Sequence, residues 1–325
     1  MAIDYRQNAI GAAAYIALAI QRGASHTLSS TELSDLKSDV DSVLSNTVAN
    51  ATIAAIGVST AGSKACKYLT ASVQGVLAGV PVHGAAAGVM TSLATKIAGI
   101  YGTQPGGNAT LVACGAGSVA AMLKGFGASG ITLGSTANTD LTADATAVVA
   151  ACHANATILG LEPGVAGSTV TQGLTAATEV AMTGTSVHSA SSAQLTALAV
   201  DIAALYTGIA AHVGANFITS TVATTAFAAL GSQRGGVVAT AELAELLTDV
   251  DTIVAAAIAN GTIGGLVAGV MDAAGTPGVQ ALTAAVRSVL DGTSIKGLSG
   301  TAITALATQM AALYTSSLAH MGPTA

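Results

Sequence analysis

The residues best suited to chemistry are scattered along this chain. Of its six histidines (His26, His83, His153, His188, His212 and His320), only His83 and His188 stand in equivalent surroundings, as Val82-His83 and Val187-His188. A repeated histidine could ligate a metal or carry a proton. The third equivalent place, Ile295-Lys296, holds a lysine instead, so a polar loop tip is the simpler reading. A carboxylate also recurs, as Asp39, Asp144 and Asp249. No second histidine or acid recurs beside it. These acids therefore read as solvated flank residues or helix-to-helix hydrogen bonds, not as metal ligands.

Other chemistry is sought without success. Cys66, Cys114 and Cys152 are odd in number, form no C-x-x-C pair and fall at non-equivalent places. That excludes a disulfide framework or a zinc site and suits small buried thiols in a reducing compartment. The chain has no G-x-S-x-G elbow, P-loop or H-E-x-x-H helix. Gly115-Ala116-Gly117 and Gly125-Phe126-Gly127 follow no strand and match no dinucleotide fingerprint. No catalytic, cofactor-binding or metal residue is assigned, and no enzyme activity or small-molecule substrate is expected.

The elements that position these groups recur. Asn50-Ala51-Thr52-Ile53, Asn155-Ala156-Thr157-Ile158 and Asn260-Gly261-Thr262-Ile263 lie 105 residues apart. Leu69-Thr70-Ala71, Leu174-Thr175-Ala176 and Leu282-Thr283-Ala284 follow, and then Tyr101, Tyr206 and Tyr314. After Asn260 the step becomes 108, which places a three-residue insertion before Gly275. The expectation is an all-α chain of three tandem homologous helical-bundle repeats, over residues 1–107, 108–214 and 215–325, with four helices each.

Within each copy, the first helix is Ala/Thr-rich (about 9–20, 110–123 and 219–230), closing at Arg22-Gly23, Lys124-Gly125 and Gly231. The second opens on polar caps, with Ser29 and Glu32 forming a capping box, and with Thr240 as cap and Glu242 in the first turn. Leu33, Leu36, Val40 and Val43, matched by Leu243, Leu246, Val250 and Ile253, make one apolar stripe. This helix is expected to end at the asparagine, which tolerates the left-handed conformation of a C-terminal cap; its N-x-T sequon reads as fortuitous. The third helix starts after Gly62, Gly167 or Gly275 and ends at Gly79, Gly184 or Gly292. The fourth carries Leu93, Leu198 and Leu306 at equivalent core places, with the tyrosines as anchors whose hydroxyls reach a partner. An up-and-down bundle per copy follows. Residues 102–107 read as a linker, while the joint near 208–216 is less distinct.

Composition narrows the function classes. Charged residues are 8% of the chain, against roughly 25% in ordinary domains, too few to disperse three domains as a soluble monomer. Residues 202–233 carry no Asp, Glu, Lys or Arg, but their Thr, Gly, His and Asn content is unlike a membrane span. No span and no secretory signal are expected. The three copies carry net charges of +1, −4 and −3. Basic residues are too few and too dispersed for nucleic acid.

In its Ala/Gly/Thr/Ser excess, low charge, lack of Trp and tandem helical copies, the chain resembles bacteriophage virion structural proteins. The resemblance covers the whole chain through composition and repeats. It implies a capsid-decorating or cementing role, or a place in the tail or neck, with localisation in a virion assembled in the host cytoplasm. The implied partners are other virion proteins (a major capsid or tail protein) and copies of itself. The alternatives are a cellular homo-oligomeric scaffold or surface-array protein, and an enzyme with an unrecognised site.

Overall fold

Apolar residues at steps of three and four form helices wherever the sequence predicts them. A computed structural model describes residues 4–23, 28–56, 63–102, 109–125, 135–161, 169–214, 216–235, 239–267 and 276–320. Among these the chain is all-α, with fifteen helices and no strand. They are α1 (Tyr5–Gln21), α2 (Ser30–Ala49), α3 (Ala51–Ala54), α4 (Lys64–Leu77), α5 (Ala87–Gly102), α6 (Ala109–Gly125), α7 (Ser135–Ala154) and α8 (Ala156–Leu159). After them come α9 (Thr169–Met182), α10 (Ser192–Ala210), α11 (Phe217–Gln233), α12 (Thr240–Ala259), α13 (Gly261–Val267), α14 (Pro277–Leu290) and α15 (Gly300–Leu318).

Three short helices, α3, α8 and α13, are additional to the four expected in each copy. The recurring asparagines explain them. Asn50, Asn155 and Asn260 are extended (φ −65°, −78° and −70°), not left-handed. Each ends one helix and caps the next: its side-chain oxygen accepts the amide of Thr52, Thr157 or Thr262, at 3.0 Å in all three. Asn at an N-cap is as favourable as Asp or Ser, so the chain breaks and restarts where a single exit was expected.

Other boundaries follow local chemistry. Ser29 and Glu32 form the expected capping box. The cap position before α12 is Ala239, not Thr240, and the Glu242 carboxylate accepts the Ala239 amide at 3.2 Å. Helix α11 runs past Gly231 and closes at Arg234, followed by Gly235 at φ 84°. Gly231 serves packing instead: a Cβ there would stand 2.6 Å from Val180 Cγ2. The linker at 103–107 lies outside the described residues, as do Gly62, Gly167 and Gly275. At the second joint, α10 stops at Ala210 and α11 starts at Phe217.

The helices pack in two layers. α1, α4, α6, α9, α11 and α14 each contact the next in that order, and α14 contacts α1, so these six close into an inner ring. Outside it, α2 packs with α5, α7 with α10 and α12 with α15, each pair lying on its own two inner helices. Neighbouring inner helices run parallel. The Cys66 thiol donates to Tyr5 O near the start of α4 and α1, and Gln21 Nε2 donates to Leu77 O near their ends. Most of the core is one continuous cluster from Ala9 to Tyr314, and Tyr68, Val112 and Ala116 form a small second one.

The ring closes through residues far apart in sequence. Tyr15, fully buried on α1, donates its hydroxyl to Ser316 Oγ on α15 at 3.2 Å. Burial pushes this phenol up to about 12. Beyond α15, His320 Nδ1 donates to the Asp41 carboxylate at 3.1 Å. A matching pair, His212 to Asp251 at 2.8 Å, links the end of α10 to α12. These two exposed pairs stabilise the joints by little each, about 0–1 kcal/mol.

Leu93, Leu198 and Leu306 are buried as expected. Truncation of Leu198 or Leu306 to Ala leaves a cavity in a core built largely of small residues, and is expected to cost about 2–5 kcal/mol in urea denaturation. A loss below roughly 1 kcal/mol would place these leucines outside the cooperative core.

Candidate functional site

The recurring histidines and acids do meet. His83 Nδ1 donates to Asp39 Oδ2, and His188 Nδ1 donates to Asp144 Oδ2, each at 3.3 Å. Both histidine side chains are about three-fifths exposed, and both aspartates are largely covered. At the place the sequence marks as equivalent the pattern varies: Lys296 donates to Glu245 at 2.7 Å, and Asp249 pairs with Arg234. Asp39 pairs with Arg22 as well. These contacts pin a tight turn to the outer helix beside it. The turn has its left-handed residue at Gly84, Ser189 and Gly297 (φ 67°, 59° and 78°). Sequence reading paired nothing with the histidines because the acid lies 44 residues earlier on another helix. Among the described residues no cluster of His, Cys, Asp and Glu could hold a metal ion.

The three cysteines are buried and form no disulfide. Contact with the Cys114 thiol, together with burial, pushes the Cys152 thiol up, so it is held protonated and inert. The anchoring tyrosines Tyr101, Tyr206 and Tyr314 have their phenols raised by burial. The expected hydroxyl partner is absent among the described residues. The rings pack instead, as where Tyr206 Cε2 would stand 3.4 Å from a Cβ at Gly173.

Two features remain that could engage other molecules. The first is the outer surface. Charge concentrates on α2 and α12, where Glu32, Asp41, Glu242, Glu245 and Asp251 are exposed. By contrast α10 presents Ala193, Thr196, Ala197, Val200, Ala204 and Thr207 to the exterior, and α15 presents Thr301, Thr304, Ala305, Thr308, Ala312 and Thr315. Exposed Thr196, Thr304 and Thr308 return their hydroxyls to carbonyls of their own helices. The α15 face carries no charge, and on α10 the only charged residue, Asp201, is half-buried at the edge of the row. By length and composition α10 could cross a membrane, but it packs on α7 and α9 within the double ring.

The second feature is the space inside the inner ring, a cavity of about 190 Å³ lined by residues from all six inner helices. Its polar side chains come in layers: Lys67, Gln172 and Gln280; then Thr70, Thr175 and Thr283; then Gln74, Glu179 and Arg287. Each layer takes one residue from each of α4, α9 and α14. Between them lie methyl groups from Ala12, Ile16, Ala116, Ala120 and Ala228. Arg287 donates to Glu179 Oε2 at 2.8 Å; desolvation pulls the guanidinium down, but the charges of Glu179 and Asp291 with that hydrogen bond together outweigh it and hold the group protonated. Gln172 donates to Thr221 Oγ1 at 3.1 Å and accepts from Ser220 Oγ at 2.7 Å. The threonines donate to carbonyls one turn back: Cys66 O, Thr171 O and Val279 O.

Lys67 is the exception. Its side chain lines the lumen, half-buried, and no acceptor among the described residues is hydrogen-bonded to its ammonium group. Desolvation pushes that ammonium down to about 8. Of these lumen residues, sequence reading named Thr70, Thr175 and Thr283 with their neighbouring alanines, as repeat landmarks and not as lumen groups. The available signal was polar residues recurring at fixed places beside the apolar stripe of the third helix: 67, 172 and 280, and 74, 179 and 287.

No protein-family model matches this chain, and neither a curated protein nor a solved structure does.

The lumen charges make two predictions. Arg287→Met leaves the Glu179 carboxylate buried without its partner and is expected to cost about 3–5 kcal/mol in denaturant titration, most of it recovered in Arg287→Met/Glu179→Met. Lys67 acts through pH. Its folded pKa of about 8 lies below the ordinary lysine value near ~10.4, so between the two the unfolded chain holds more protons. Stability then rises with pH across that window, and the burial penalty is complete below it. Lys67→Met is therefore expected to be more stable than the parent chain at pH 7, with the advantage shrinking towards pH 10.5. An advantage independent of pH would remove Lys67 from the lumen.

Proposed function

We propose that this chain is a structural protein, three copies of one helical unit joined into a ring, which works by assembly and not by catalysis. The repeat reading is supported by the helices in series. The first long helix of each copy has 17 residues, the second 20 and the fourth-placed helix 14, in all three cases. The units correspond to residues 1–107, 108–214 and 215–325.

The observation that carries the assembly reading is the uncharged outer face of α10 and α15. A face of Ala and Thr brings another surface close without stripping water from charges, the costly step in burial. Stable obligate interfaces bury about 2,000 Å² or more in total, and rows this long on two helices supply contiguous area for that. Charged α2 and α12 stay available to water or to a second neighbour. Among assemblies, the composition fits a bacteriophage virion protein decorating or cementing a repetitive shell. There three linked units would occupy neighbouring sites at roughly millimolar effective concentration.

Sedimentation of the purified chain, alone and with its source particle, tests this. The expected result is association with the particle, weakened about tenfold or more by Ala197→Glu and Ala305→Glu, with helical circular dichroism retained. Self-association without particle binding would favour the cellular scaffold. A chain that stays at its monomer mass of 31.1 kDa and ignores the particle would overturn the reading.

A further inference from the structure

The central lumen holds one positive charge with no counter-charge among its described lining residues. Three charged side chains line it, Lys67, Glu179 and Arg287. Glu179 is taken up by Arg287, which leaves Lys67 as the surplus positive charge in a protein whose overall charge is −6. Gln74, two turns along α4 from Lys67, also lines the cavity, and its amide has no partner among the described residues. A guanidinium has five N–H donors, and the bond to Glu179 uses only part of that set. The remaining lining is methyl groups, threonine side chains, Cys66 and the amides of Gln172 and Gln280. A half-buried ammonium that lines a largely apolar lumen without a counter-charge is poorly matched by its surroundings, and an anion is the group that would complement it.

We propose that the lumen is a binding site for a small carboxylate with a short uncharged tail. Its carboxylate would sit on the Lys67 ammonium, with Gln74 and Arg287 supplying further N–H donors. Its tail would lie against Ala12, Ile16, Ala116, Ala120 and Ala228. At about 190 Å³ the space is below the range of ~300–1,000 Å³ typical of drug-sized ligands, so the occupant is a few-carbon acid. The threonine layer disfavours a tail bearing a second negative charge, because its hydroxyl protons are already committed to helix carbonyls. A cation is excluded by Lys67 and Arg287 together. The site does not depend on assembly, since every lining residue comes from one chain.

The experiment compares four-carbon probes that differ in charge. Butyrate, n-butylamine and 1-butanol are titrated into the intact chain by calorimetry and thermal-shift measurement, in buffer free of other carboxylates, with acetate and inorganic phosphate as further anions. Butyrate is expected to bind saturably and raise Tm, while the amine and the alcohol do neither. Lys67→Met should weaken butyrate by roughly tenfold or more. Gln74→Leu should weaken it less. If Lys67→Met fails to fold, reductive methylation of the parent chain, read by mass spectrometry at Lys67, gives the answer: butyrate should slow it and 1-butanol should not. Equal binding of butyrate and butanol, unchanged butyrate affinity in Lys67→Met, or no saturable response to any of the three anions would overturn the proposal.

Discussion

The contact of α1 with α14 governs this architecture, because it hides two helices that cannot face water. From Asn8 to Ala19 every residue of α1 is buried, and so is every residue of α14 from Ala284 to Leu290. A helix that is apolar all round has no stable place at a surface. In an open row of inner helices, α1 would lack a neighbour on one flank and α14 on the other. Closure supplies both at once and seats the Tyr15 hydroxyl on Ser316, 301 residues away. Contacts of such separation form only after the intervening chain is in place. The ring is thus a late and cooperative product of many local helix pairings.

Small side chains make the close approach possible and set its limits. A Cβ on Gly117 of α6 would stand 2.8 Å from Thr175 O on α9, so the two helices touch backbone to backbone there. Alanine and glycine at such contacts let six helices share one narrow ring, but each buries little apolar area. Stability then leans on the few large residues spread between the layers, such as Leu36, Leu69, Phe227 and Leu246, all fully buried. The turns matter for the same reason. The histidine and lysine ties to Asp39, Asp144 and Glu245 hold chain ends of helices that have little bulk of their own to lock them.

Helix positions and types were legible in the sequence because periodicity and caps are local. Ser29 with Glu32 marks the start of α2, and the Leu198 and Leu306 stripes mark α10 and α15, within a few residues. The asparagines misled, because the same residue type closes one helix and opens another, and only backbone angles tell which. The His83–Asp39 and His188–Asp144 contacts were invisible because neither partner lies on the other's element. The lumen was hidden for a further reason. Polar residues beside an apolar stripe normally face water, and nothing local shows that the water side of Lys67, Glu179 and Arg287 is the inside of a ring.

That inversion of polarity is what distinguishes this molecule physically. Ordinary domains put charge outside and methyl groups inside. Here the outward rows of α10 and α15 are uncharged, while the axis carries a salt bridge, amides and an unmatched ammonium. Burying the Arg287–Glu179 pair is not a route to stability, since well-packed apolar residues of similar size would serve as well or better. A lumen of alanines alone would close the ring without Lys67. The charged axis and the bare exterior therefore need separate physical reasons, and the two proposed contacts would supply them: a neighbouring surface outside, and a small anion within.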